Sequence, residues 1–205
     1  MKIFKRVAIA ACVLVGAFQN AYAVPSFSTL VAQANGACGD CINESSFDPV
    51  ALVDDALWNK MAGARVKFKA EISGYNNAMG YANADGTGAT TILNEGDGGW
   101  TTLAGAPDPF TFFLDTQNGN SDRWFSDNTL NADGLDHLLV FQKKNGSDRY
   151  ILFWDDQNGG GDRDFNDFVA RVNFVSPAAV PEPGSLALLG LGLAGLGFSR
   201  RFVKA

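Results

Sequence analysis

"HLLVFQKKNGSDRYILFW", residues 137–154, reads as two strands folded about a turn. Asn145-Gly146 is the preferred pair where both central residues of a tight hairpin need positive φ. The runs on either side, His137 to Lys143 and Asp148 to Trp154, carry Leu, Val, Ile and aromatic residues suited to a pleated, half-buried surface. Further on, "DFVARVNFV" (167–175) sets Phe168, Ala170, Val172 and Phe174 against Val169, Arg171 and Asn173, a third strand with period two. Upstream, "RVKFKAEIS" alternates Val66, Phe68, Ala70 and Ile72 with Lys67, Lys69 and Glu71, while "PFTFFLD" (109–115) is apolar on both faces and reads as an inner strand. Asp48-Pro49 ahead of Val50, Val53, Leu57 and Met61 has an N-cap, a first-turn proline and helical spacing. It predicts one short helix, with a strand as the alternative. The fold expected is mostly β: an antiparallel β-sandwich, jelly-roll-like, with at most one or two short helices.

The two ends are of a different kind. Lys2, Lys5 and Arg6, an apolar run from Val7 to Phe18, and Ala21-Tyr22-Ala23 form the three parts of a secretory signal peptide over 1–23. Ile9-Ala10-Ala11-Cys12 has the form of a lipoprotein cleavage box but comes too early. At the other end, Pro181, Glu182 and Pro183 precede an apolar, glycine-rich run from Leu186 to Phe198, then Arg200, Arg201 and Lys204. Such a run is short for a membrane span of about 20 residues. Its basic end favours the cytoplasm, as befits a short transmembrane segment presented to a membrane protease. These residues resemble the PEP-CTERM sorting signal of Gram-negative bacteria. The resemblance implies cleavage by an exosortase, transient inner-membrane anchoring, and delivery to the cell surface or the exopolysaccharide matrix. Residues 24–178 then form the secreted domain and 179–205 the sorting tail.

Charge and cysteine usage narrow the functions. Between residues 24 and 183 all 22 acidic residues meet only 10 basic ones, a net charge of −12. That argues against nucleic acid as a partner and suits a protein that meets divalent cations. Cys38 and Cys41 are the only cysteines left after signal removal, and in an oxidising compartment they make one small disulfide ring. "NGACGDCINESS" reads as a loop, lacking the helical context of a redox Cys-x-x-Cys pair.

Between the last two predicted strands, "DDQNGGGDRDFND" (155–167) packs five aspartates with three consecutive glycines and Arg163, a net charge of −4. Counted from Asp156, positions one, three, seven, nine and twelve are Asp156, Asn158, Asp162, Asp164 and Asp167, with Gly161 sixth. This is the ligand register of a helix–loop–helix calcium loop, here without helices and with Gly160 at position five. The candidate metal ligands are Asp155, Asp156, Asn158, Asp162, Asp164 and Asp167, with Ca2+ the cofactor expected. The plainer alternative is a set of turn-capping side chains in water. "DTQNGNSDRWFSD" (115–127) aligns with the acidic loop without gaps, which reads either as a duplicated loop–strand unit or as coincidence between Asp/Asn/Gly-rich turns.

A second polar cluster, Asn131, Asp133, Asp136 and His137, lies ahead of the hairpin; a lone histidine there is more often a structural hydrogen-bonder than a ligand. Both clusters carry a second resemblance. "FSDNTLNADGLDH" and "ILFWDDQNGGGDRDFNDFVARV" are similar to an uncharacterised bacterial domain family with a Gly-Gly-Asp-x-Asp-Phe-Asn-Asp signature. Gly160 to Asp167 match that signature throughout, and weaker similarity reaches back to Gly74-Tyr75-Asn76-Asn77. The resemblance implies a secreted β-sandwich, points to calcium binding, and supplies no reaction.

The function expected is a non-enzymatic surface or matrix protein with a calcium-binding loop, binding glycans through Trp100, Trp124 or Tyr81. The alternatives are a secreted carbohydrate-active hydrolase and a structural matrix protein without metal.

Overall fold

A computed structural model describes residues 24–52, 55–117 and 122–178. The predicted signal peptide and the sorting tail, with Pro181, Glu182, Pro183, Arg200 and Arg201, lie outside the described residues. The described chain forms one helix, α1 (Phe27–Cys38), and ten strands: β1 (Phe47–Ala51), β2 (Trp58–Ala70), β3 (Asn77–Asn83), β4 (Thr90–Asn94), β5 (Thr101–Thr102), β6 (Phe110–Thr116), β7 (Asp122–Phe125), β8 (Leu138–Lys143), β9 (Arg149–Trp154) and β10 (Phe168–Pro177). Every strand pairing is antiparallel. One layer runs β1-β8-β9-β10-β2 and the other contains β6-β3-β4, with β7 against β6. The single pair Trp58↔Phe110 joins them, so the expected sandwich is an open one.

The expected meander β8-β9-β10 is present, with Leu138 opposite Trp154 and Phe168 opposite Trp154 on its other side. Asn145 and Gly146 take φ of 71° and 61°, as the dipeptide demands. Their turn sits within a longer connection between Lys143 and Arg149, in which Lys144 donates its N–H to Ser46 O at 2.9 Å. β6 is an inner strand, its residues Phe110 to Leu114 buried, with β3 on one side and β7 on the other. Trp58, Val66, Leu152, Trp154, Phe168 and Val172 from the first layer meet Met79, Leu93, Phe112, Leu114 and Trp124 from the second in the main core. Each such side chain, once buried, contributes roughly 1.5–3 kcal/mol.

Two segments depart from the sequence reading. Asp48 and Pro49 lie in β1, paired to β8 through Phe47↔Lys143 and Ala51↔Phe141. A proline that lacks an N–H is tolerated on such an edge strand. Of the residues that made the helical spacing, Val50 is 71 % exposed, Met61 45 % and Leu57 half-buried, while Val53 lies outside the described residues.

The helix instead lies earlier, and it includes the first part of the supposed cysteine loop. Ser26 caps it by accepting the Thr29 N–H at 3.2 Å, and Gly39 closes it in the left-handed region, its N–H reaching Asn35 O at 2.9 Å. Phe27, Leu30, Val31 and Ala34 are spaced i, i+3, i+4, i+7 and are buried against Phe141, Ile151, Phe153 and Val169 on the outer face of the first layer. The Cys38–Cys41 disulfide forms as expected, just past the last turn. Asn35 then mimics a strand partner, donating to Ile42 O at 2.9 Å and accepting from Ile42 N at 2.8 Å. Ser26→Ala should lower unfolding free energy by about 1 kcal/mol in urea titrations, the value of a lost N-cap.

Candidate metal centre

The acidic loop is anchored at both ends by the ladder, at Trp154 and Phe168. Its first two residues continue inward. Asp155 donates its N–H to His137 O at 2.9 Å, and its carboxylate Oδ1 accepts from Gln157 N at 3.0 Å. Asp156 donates its N–H to Asp167 Oδ2 at 2.9 Å, and its carbonyl accepts from Trp124 Nε1 at 3.0 Å. Asp156 Oδ2 accepts from Asn77 Nδ2 at 2.9 Å and from Ser73 Oγ. All three aspartates are buried, Asp155 and Asp156 to 1 % exposure.

These side chains have buried oxygens left over. Asp156 Oδ1, Asp155 Oδ2, Asn77 Oδ1 and both carboxyl oxygens of Glu71 have no hydrogen-bond partner. Orphaned buried acceptors are uncommon, and each calls for an explanation such as a missing water or ion. Glu71 follows the end of β2, beside the start of β10, and Glu95 follows β4 and donates its N–H to Asn77 O at 3.2 Å. Burial, then Glu95, Asp156 and Asp167, push the Glu71 carboxyl up to about 8. Burial raises Asp167 to about 8 too, and the charges of Asp156, Asp164 and Asp155 add to the effect while the Asp156 N–H opposes it.

The predicted ligands are thus divided. Asp156 and Asp167 meet, joined by residues absent from the sequence reading: Glu71, Ser73, Asn77 and Glu95. Asn158 and Asp162 lie on the exposed part of the loop, where Asp162 Oδ1 accepts from Gln157 Nε2 at 3.4 Å. Asp164 is half-buried and accepts from Asn166 Nδ2 at 2.6 Å. The helix–loop–helix register is therefore not the geometry adopted. The signal for the missed partners was the faint similarity at Gly74 to Asn77. Among the described residues no three His, Cys, Asp or Glu side chains are drawn tightly enough to hold an ion as they stand. The donor chemistry nonetheless fits a hard cation, since every orphan acceptor in this group is an oxygen.

The second polar cluster braces the first. Asp133 Oδ2 takes both His137 Nε2 at 3.0 Å and the Gly159 N–H at 2.9 Å, which ties the two loops together. Burial opposes ionisation of Asp133, but hydrogen bonds from Leu135, Gly159 and His137 prevail and hold its carboxyl below the usual range. His137 is fully buried, reaches the Asp155 carbonyl with Nδ1 at 3.1 Å, and stacks on Trp124 at 4.0 Å between ring centres. Both its nitrogens lie within hydrogen-bond reach of oxygens, those of Asp133 and the Asp155 carbonyl, so neither is turned toward a metal. Asn131 is a clamp, accepting from Phe125 N at 2.6 Å and donating to Leu135 O at 2.8 Å. Asp136 accepts from the Leu138 N–H at 3.0 Å.

The echo between the two Asp/Asn/Gly stretches does not extend to geometry. In the first, Asp115 and Arg123 face one another across β6 and β7 in a bidentate pair, with Nη2 to Oδ2 at 2.8 Å. Their counterparts Asp155 and Arg163 make no such pair, and the second stretch forms no strand before Phe168. Of the three aromatics expected to face sugars, Trp124 and Tyr81 are core at 1 % and 8 % exposure. Trp100 is 39 % exposed.

Residues 106–175 match a family described as Domain of unknown function (DUF4114), and residues 179–201 match the PEP-CTERM protein-sorting motif. No curated protein and no solved structure matches the chain. The first match takes in β6 to β10 with Asp156 and Asp167, and leaves Glu71, Asn77 and Glu95 outside it. PEP-CTERM signals are processed by exosortase, which marks the protein for export. Among the described residues no helix is long and apolar enough to cross a membrane. The chain thus pairs a stretch similar to the DUF4114 domain with a PEP-CTERM sorting motif, and the motif implies an exported protein.

Proposed function

We propose that this is a non-enzymatic cell-surface or exopolysaccharide-matrix protein whose sandwich is stabilised by calcium. The observation that carries the reading is the set of partnerless buried oxygens on Asp156, Asn77 and Glu71 beside Asp167. An ionised carboxylate buried without compensation costs several kcal/mol, so such a group is either protonated or paired with a cation. Calcium supplies positive charge and takes six to eight oxygens. Asp156, Asp167, Glu71 and Asn77 would hold it, drawn from the ends of β9, β10, β2 and β3. The set links both layers of the sandwich, so an ion there would act as a staple. Catalysis is disfavoured by the same arrangement. Asp156 and Asp167 meet directly within one loop, and both nitrogens of the only histidine are engaged.

The test is thermal unfolding of the exported chain in calcium and in EDTA. At 10 to 100 times its dissociation constant, calcium should add about 1.4–2.7 kcal/mol of stability. Asp156→Asn or Glu71→Gln should abolish the difference, whereas Asp162→Asn, on the exposed part of the loop, should leave most of it. Equal melting temperatures in calcium and EDTA would sink the reading.

A further inference from the structure

The outer face of the first layer is divided. α1 covers Phe141, Ile151, Phe153 and Val169, and beyond the helix that face turns basic. Arg149 and Arg65 flank Asn173 in one row across β9, β10 and β2, and in the next row Arg171 pairs with Lys67. Trp100 precedes β5, which pairs Thr101 with Val66 and Thr102 with Arg65, so the indole extends these rows by one strand. Lys69 and Lys143, with Arg171, line an adjoining cavity of about 150 Å³ that also exposes Asn43 and Ser46 and has no carboxylate in its wall. Six of the ten basic residues between 24 and 183 gather here, in a segment whose net charge is −12.

Like charges side by side on a sheet are destabilising. Repulsion shows on the residues themselves: burial first, then Arg149 and Arg65, lower Arg171, and burial, then Lys67 and Arg171, lower Lys69. Ion pairing does not relieve it, since no described carboxylate bridges to any of the six. The relief is aromatic. The Arg65 guanidinium lies 4.6 Å from the Trp100 ring centre and 5.4 Å from that of Phe174, and Arg149 lies 5.9 Å from Phe174. Stacking leaves the donors unused, and Arg65 Nε and Arg171 Nε are buried with no hydrogen-bond partner. Guanidinium groups set over aromatic rings, with their inner Nε atoms buried and no carboxylate bridged to them, keep the outer ends of the fork for a planar, two-oxygen anion.

We propose that this basic face binds an anionic polysaccharide through its carboxylate groups. Cations spread from β8 to β2 cover three inter-strand steps, roughly 14 Å, which suits an extended polymer better than a small anion. Nucleic acid fits less well, because Trp100 is the one exposed aromatic among these cations and a single ring is no ladder for stacked bases. The proposal does not depend on calcium, and its test is run in EDTA. Affinity of the exported chain for polygalacturonate is compared with that for a neutral glucan and for single-stranded DNA. Polygalacturonate should bind, with affinity falling as salt rises. Lys67→Gln with Arg171→Gln should weaken binding about tenfold or more. Their melting temperature should stay level or rise, because the change removes repulsion. Lys60→Gln, at the other end of β2, should leave binding intact. No binding to polygalacturonate, equal binding of the neutral glucan, tighter binding of DNA, or a double variant that binds like the parent would each overturn the proposal.

Discussion

Trp124→Ala should remove about 3–5 kcal/mol of stability, the range for truncating a large buried aromatic. Trp124 is 1 % exposed in the main core, so alanine leaves a void that the strands around it cannot close. The same change reaches the carboxylates. The indole N–H holds the Asp156 carbonyl at 3.0 Å, and its ring backs His137 at 4.0 Å. Trp124→Phe separates the two effects. It keeps most of the packing and orphans the carbonyl, for a loss of about 1–3 kcal/mol. Urea unfolding gives both numbers, and a calcium titration of each variant should show weaker calcium stabilisation than in the parent. A Trp124→Ala protein within 1 kcal/mol of the parent, a bound set by the same cavity scale, would mean the ring is not a core element.

The second large effect is a pH dependence that calcium removes. Glu71 and Asp167 hold their protons up to about 8, far above the carboxyl range of an unfolded chain. Burial raises Asp155 and Asp164 as well, with neighbouring aspartates adding to it. The folded state therefore binds more protons than the unfolded one across this window. Stability is fully present below about pH 4 and falls as pH rises toward 8. A loss on the order of 2 kcal/mol between pH 5 and 8 is expected in EDTA. Asp133, held below its ordinary value by its hydrogen bonds, works the other way and loses its contribution in acid. Calcium takes the place of the protons, so at saturating ion the decline should flatten. Melting curves at several pH values, with and without calcium, decide it. A profile in EDTA that rises steadily from pH 5 to 8 would contradict the carboxylate environment described above.

Local pattern carried the strands well. Period-two alternation and Asn145-Gly146 placed β8, β9 and β10, and the doubly apolar run from Phe110 placed an inner strand. Helix α1 was equally legible, through Ser26, the spacing of Phe27, Leu30, Val31 and Ala34, and Gly39, but its last turn shares the glycine- and cysteine-rich composition of a loop. The Val50 to Met61 pattern misled because spacing alone does not tell a strand from a helix when its outer residues, Val50 and Met61, end up in water. The candidate site was legible only in half. Asp156 and Asp167 belong to one motif, while Asn77 stands 79 residues from Asp156 and meets it through strand order. Nor does sequence identity fix geometry: Asp115 finds Arg123 across a hairpin, and the matching Asp155 turns inward beside His137.

β10 is the last strand among the described residues and yet stands in the middle of its layer, between β9 and β2. The sorting motif starts at residue 179, immediately after the described chain ends at Ala178. A polypeptide interrupted before residue 168 would lack the central strand and the address label together. It would expose two apolar edges and remain a substrate for proteases. A chain that carries the label has therefore already received its central strand, so strand order alone ensures that every labelled molecule holds all the parts of its sheet.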